Sequence, residues 1–185
     1  MDPTDHTILR GVVIGVVAMA IVVTASNVLV RFPINDWLTW AAFSYPISFL
    51  VTDLTNRRLG VRYARRVVLA GFVCALFLSM YFSTPRIAVA SLTAFLVAQL
   101  LDVQIFDKLR RAAWWRAPFI SSTIASAVDT ALFFGLAFAG TAVPWITLGL
   151  GDYAAKIGMA VCLLLPFRAL LRATRPPMES VADSK

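Results

Sequence analysis

Six runs of apolar residues follow one another along the chain, each close to the roughly 20 positions that a bilayer-crossing helix needs. They cover residues 8–30, 38–56, 67–82, 87–106, 118–139 and 148–171, and charged or Pro/Gly-rich breaks separate them. The pattern predicts an all-α integral membrane protein, a bundle of six transmembrane helices. The sixth run is the least regular, because Asp152, Lys156 and Pro166 interrupt it. Residues 1–7 and 172–185 read as short cytoplasmic tails around one six-helix transmembrane domain, 8–171. The first run is preceded by Asp2 and Asp5 with only Arg10 as a positive charge, so it reads as a retained helix rather than a cleaved signal peptide.

The basic residues give the chain a direction. Of 17 Lys and Arg, 14 fall on one side: 12 in the C-terminal tail and the breaks around 57–66 and 108–116, with Arg10 and Arg168 at the near ends of the first and sixth runs. Arg31 and Arg86 lie on the opposite side, and Lys156 lies within a span. Positive loops stay in the cytoplasm, so both termini are expected there. Cysteines introduced near Gly60 and Ala112 should therefore resist impermeant thiol reagents in intact cells, whereas one near Thr141 should react; labelling of the first two would overturn this topology. Trp37, Trp40, Trp114, Trp115 and Trp145 fall near span ends, as interfacial anchors do.

Composition agrees with the pattern. The chain of 185 residues is 59% hydrophobic and 15% charged, with a mean hydropathy of +0.78. A net charge of +7 would suggest nucleic acid in a soluble protein, but the placement of the basic runs is explained by membrane insertion and anionic headgroups. His6 is the single histidine, which removes His triads and His metal clusters. Cys74 and Cys162 stand alone in apolar runs and read as small buried hydrophobes. There is no P-loop and no GxGxxG, so neither a cofactor nor a metal is expected and no enzyme is predicted.

Polar groups inside the spans are the candidate chemistry, since an ionisable side chain in lipid faces a cavity or a partner. Asp129 lies about 11 residues into the fifth span, roughly 16 Å deep at 1.5 Å per residue. Ser122 and Ser126 share its face. The serines can equally bond their own helix, and Asp129 can equally pair with another span. Gln99 and Asp102 are neighbours on the fourth span, and Asp53 and Asn56 on the second, where an Asp53–Arg57 ion pair is the rival reading. Asp107 suits a pair with nearby basic residues. Pro46 beside Tyr45 permits a kink that frees a carbonyl. Asp152 and Lys156 have the spacing for mutual neutralisation. Asn27 suits helix-to-helix bonding, and Phe133, Phe134 and Phe138 read as lipid-facing or core. The segment Phe49-Leu50-Val51 with Asp53-x-x-Asn56 is echoed by Phe95-Leu96-Val97 with Gln99-x-x-Asp102. Chance can produce so apolar an echo, yet it places polar pairs at matching depth. Carboxylates beside carboxamides, with no nucleophile or metal set, suit a hydrogen-bonding pocket for a polar, cationic or planar small molecule, and a carboxylate accepts two parallel N–H bonds from a guanine-like edge.

At these residues the chain resembles the vitamin uptake transporter family, the queuosine precursor transporters of bacteria. The resemblance rests on Tyr45-Pro46, Phe49 to Asp53 with Asn56 and Gly60, Gln99-x-x-Asp102 through Asp107, Trp115-Arg116 and Ser126-x-x-Asp129. Many members carry an acidic residue where this chain has Arg57, which leaves that position out of the expected ligand set. The resemblance implies six helices, an inner-membrane location and import of 7-cyano-7-deazaguanine or 7-aminomethyl-7-deazaguanine by a secondary carrier. Tyr45, Asp53, Asn56, Gln99, Asp102, Ser122, Ser126 and Asp129 are then the expected substrate-binding residues. The expected partners are a small deazapurine base and a bilayer with anionic headgroups, with no nucleic acid and with homodimerisation open. Two other classes fit the same residues: a substrate-capture subunit that needs a separate ATPase module, and a membrane scaffold without a ligand.

Overall fold

The structure, a computed structural model, describes residues 3–29, 32–35 and 37–173. Val30 at the expected end of the first span, Arg31 of the charge census, and Arg175 and Lys185 of the C-terminal tail lie outside the described residues.

Among the described residues, five long helices are apolar enough to cross a membrane. They are α1 (Pro3–Leu29), α4 (Val61–Phe82), α5 (Pro85–Leu109), α6 (Arg116–Phe138) and α7 (Trp145–Ala173). Each matches an expected run, lengthened at one or both ends. Pro85 at the first helical position favours the start of α5, because its fixed φ suits the helix and its missing N–H has no partner there anyway. α7 runs through Pro166 without ending.

The expected second span is corrected. Residues 38–56 do not form one helix. Leu38–Thr39 is strand β2, paired antiparallel with β1 (Pro33–Asn35) in a small hairpin. The remainder is split into α2 (Ala41–Ser44) and α3 (Ile47–Leu59). The split has a local cause: Pro46 cannot donate a main-chain hydrogen bond, and its ring crowds the carbonyl four residues back. Tyr45 N still reaches Ala41 O at 2.8 Å, and the next turn starts from Ser48 N to Tyr45 O at 2.9 Å. α3 ends at Gly60, whose φ of 96° is a left-handed conformation that glycine adopts without a Cβ penalty. The chain turns there directly into α4.

Small residues set the packing. In lipid, close helix approach is gained through Gly, Ala, Ser and Thr rather than through exclusion of water. The buried face of α5 carries Ala90, Ala94 and Ala98, and that of α6 carries Ala117, Ser121, Ala125 and Ser126. These two helices form the most extensive pair in the bundle. A second layer of Met19, Val23, Val67, Val68, Phe95 and Val103 joins α1, α4 and α5. Ser26 and Ser44 hydrogen-bond at 2.9 Å and hold α1 to α2. Asn27, expected to bridge helices, instead donates to Val23 O of its own helix at 2.9 Å. The two cysteines also depart from expectation, since Cys74 is half-buried and Cys162 is exposed on the outer face of α7.

Candidate functional site

A cavity of about 650 Å³ occupies one half of the bundle. Its mouth is framed by Asn35, Trp37 and Thr39 of the hairpin and by Ser83 and Thr84 between α4 and α5. Its walls are aromatic, and its floor is charged. Phe133, Phe134 and Phe138 line it, which corrects their assignment to lipid or core; the three rings lean on one another with centroids 5.2–6.1 Å apart. Their helical spacing was legible, but an apolar ring carries no mark of whether its neighbour is lipid, core or ligand. Gly151 lets the hairpin close over this half: a Cβ there would stand 2.8 Å from the Trp37 carbonyl oxygen.

Three helices build the floor. Lys156 on α7 donates to Asp129 Oδ2 on α6 at 2.8 Å and to Asp152 Oδ2 at 2.6 Å. The Asp152 pair is the expected i, i+4 neutralisation, and Asp129 joins it as a second counter-ion. Thr130 bridges the two sides, donating to Asp152 Oδ2 at 2.8 Å. Tyr45, at the end of α2, donates from its hydroxyl to Asp129 Oδ1 at 3.0 Å, and the Lys156 ammonium sits 5.2 Å from the Tyr45 ring centre. One cation thus faces two carboxylates in a buried setting, so the floor keeps a net negative charge. Asp152 accepts from both Lys156 and Thr130 through Oδ2, and its side chain is 15% exposed, which leaves an edge toward the cavity.

The other expected residues lie deeper. Gln99 donates to Ser48 Oγ at 2.7 Å and accepts from Thr52 at 3.0 Å, and Asn56 donates to Val103 O at 2.9 Å. The sequence echo is therefore a contact: its two copies face each other across α3 and α5. Asp53, Ser122 and Ser126 line a second, water-sized cavity of about 10 Å³ that also touches Lys156. Asp53 is 2% exposed and forms no ion pair with Arg57, so the interfacial reading of Asp53 is set aside. Arg57 donates instead to Arg110 O, while Arg110 donates to the carbonyls of Asn56 and Arg57 at 2.8 and 2.9 Å. This mutual clasp satisfies the Arg57 carbonyl at the end of α3 and adds a second donor to that of Asn56, which already accepts from Gly60 N at 2.9 Å. Asp107 pairs with Arg110 at 3.8 Å, as expected. Phe106 and Phe167, 6.2 Å apart, plug the same end together with Ala117.

The expected residues thus converge on one axis without lining one chamber. Tyr45 and Asp129 face the large cavity; Asp53, Ser122 and Ser126 face the small one; Gln99, Asn56 and Asp102 face neither. Asp152 and Lys156 belong to the floor as well, and their signal in the sequence was a Lys four residues after an Asp within an apolar run.

Comparison with known proteins adds an independent line. The chain is 35% identical over 180 residues to the "Queuosine precursor transporter" of Escherichia coli, covering 82% of this chain and 81% of that protein. It is 33% identical over 186 residues to the "Probable queuosine precursor transporter" of Haemophilus influenzae, covering 78% and 79%. A Bacillus subtilis protein of the same description is 26% identical over 153 residues, covering 66% of each. No solved structure matches. Residues 39–84 and 79–171 match the family described as "Putative vitamin uptake transporter", and with the split helix and the charged floor inside those residues, the chain belongs to the vitamin uptake transporter family.

Proposed function

We propose that this protein is a secondary carrier that imports a queuosine precursor, 7-cyano-7-deazaguanine or 7-aminomethyl-7-deazaguanine, across the inner membrane. The observation that carries this reading is the cavity with aromatic walls and a negative floor. Its volume of about 650 Å³ falls in the roughly 300–1,000 Å³ range of small-molecule sites. The base's pyrimidine edge would present parallel N–H donors to Asp152 and Asp129, whose oxygens each accept more than one bond. The Phe rings would cover its flat faces. The names of the relatives supply the substrate class.

In this reading the split segment α2–α3 is the sixth crossing. The hairpin end faces outward and the Arg57–Arg110 clasp faces the cytoplasm, in accord with the basic loops. The cavity is then an outward-open vestibule, and the Phe106–Phe167 plug with the clasp is the closed inner side. Liposomes containing only the purified full chain are expected to take up radiolabelled 7-cyano-7-deazaguanine or the aminomethyl base without ATP. Binding without uptake would point to a capture subunit instead, and absence of both binding and ligand-induced thermal stabilisation would overturn the proposal.

A further inference from the structure

Below the floor, a second pair of carboxyl groups meets where no cation is committed to it. Asp53 on α3 and Asp102 on α5 are 2% and 0% exposed and lie against each other, with Ser121 and Ser122 of α6 over both. Neither serine completes an aligned hydrogen bond to Asp102 or to Asp53 Oδ1; those three oxygens, and Asn56 Oδ1 nearby, have no partner.

The surrounding charges are already engaged. Lys156 on α7 touches the small cavity beside Asp53, but its ammonium is held by Asp129 and Asp152. Arg57 and Arg110 lie toward the cytoplasmic end and serve backbone carbonyls and Asp107. The buried faces of α1 and α4 bring Met19, Val23, Ala64, Val67 and Val68 with the hydroxyls of Ser26 and Ser79, none of them a titrating partner.

Two ionised carboxylates side by side, both stripped of water, repel each other and forfeit hydration. One proton between them removes a charge and provides the donor that the orphaned oxygens lack. Asp102 lines neither of the two cavities, and only Asp53 of the pair touches the water-sized one. We propose that Asp53 and Asp102 share one proton and that this pair is the proton-carrying site of the transport cycle. The proton binds one carboxylate oxygen and is released from it when the pair ionises. The small cavity, at about 10 Å³ the space of one water, brings Ser122 and Ser126 beside Asp53 together with Lys156 of the substrate floor. That layer links occupancy of the floor to the proton below it.

The role in transport rests on the proposed function, whereas the shared proton does not, so two measurements separate them. Infrared spectra of the purified full chain at neutral pH are expected to show a protonated-carboxyl C=O band that both D53N and D102N lose. Absence of the band in the wild type, or its persistence in both variants, would overturn the proposal whatever the substrate. In proteoliposomes, a tenfold inward proton gradient is expected to drive up to about tenfold accumulation of 7-cyano-7-deazaguanine for one proton per base. D102N and D53N should lose that accumulation and keep exchange of base for base. Wild-type accumulation driven by a sodium gradient at equal pH, or unchanged proton response in both variants, would overturn it. A band present in a protein that binds no base would leave the shared proton standing and remove the transport reading.

Discussion

Lys156→Met is expected to destabilise the protein by about 3–5 kcal/mol, because removing one partner of a buried pair leaves an uncompensated charge. Here the loss is doubled in kind, since Asp129 and Asp152 share the one ammonium and a variant without it buries two carboxylates. Thermal denaturation of the purified protein should show a markedly lower midpoint, and the membrane should hold less of the chain. Adding Asp129→Asn and Asp152→Asn to the same variant is expected to recover much of the loss, because neutral amides are less costly than carboxylates in that setting. If Lys156→Met melts like the wild type, the ammonium is not what holds α6 and α7 together at this depth.

Asp129→Asn and Asp152→Asn, made singly, should behave in the opposite manner. Each leaves Lys156 one carboxylate, so the floor becomes neutral and the chain still folds and inserts. Losing a charge-assisted contact to the N–H edge of the base should nevertheless cost on the order of 2 kcal/mol or more, roughly a 30-fold rise in Kd. Titration calorimetry with 7-cyano-7-deazaguanine would measure this, and transport should fall with it. Wild-type affinity in both variants would remove the charged floor from the binding site.

Much of this arrangement could be read before any coordinates. Spacing alone puts Asp129 near the middle of its helix, joins Asp152 to Lys156, and sets the Asp53–Asn56 and Gln99–Asp102 pairs at matching positions on their two helices. The kink at Tyr45-Pro46 followed from the chemistry of proline. What hydropathy could not resolve was the start of that segment, because Leu38 and Trp40 are as apolar in a hairpin and its exit turn as in a helix. The division of the polar residues into two chambers also escaped the sequence. Periodicity fixes which face of its own helix a residue occupies, whereas the chamber it enters depends on the rotation and height of neighbouring helices. Lys156 closes that gap physically: its long side chain stands between Asp53 on one side and Asp129 with Asp152 on the other, and so partitions what would otherwise be a continuous polar column.

The break at Pro46 divides the segment α2–α3 into two mechanical parts. α2 is packed on α1 and α7, whereas α3 is packed on α1, α4 and α5. Tyr45 is the joint, tied by its amide to the upper part and by its carbonyl to the lower. A tilt of the upper part would stretch a few bonds around one residue rather than shear a full turn of helix. The segment therefore acts as a compliant coupling, and because the hydroxyl of that same residue rests on Asp129, any such tilt pulls directly on the charged floor.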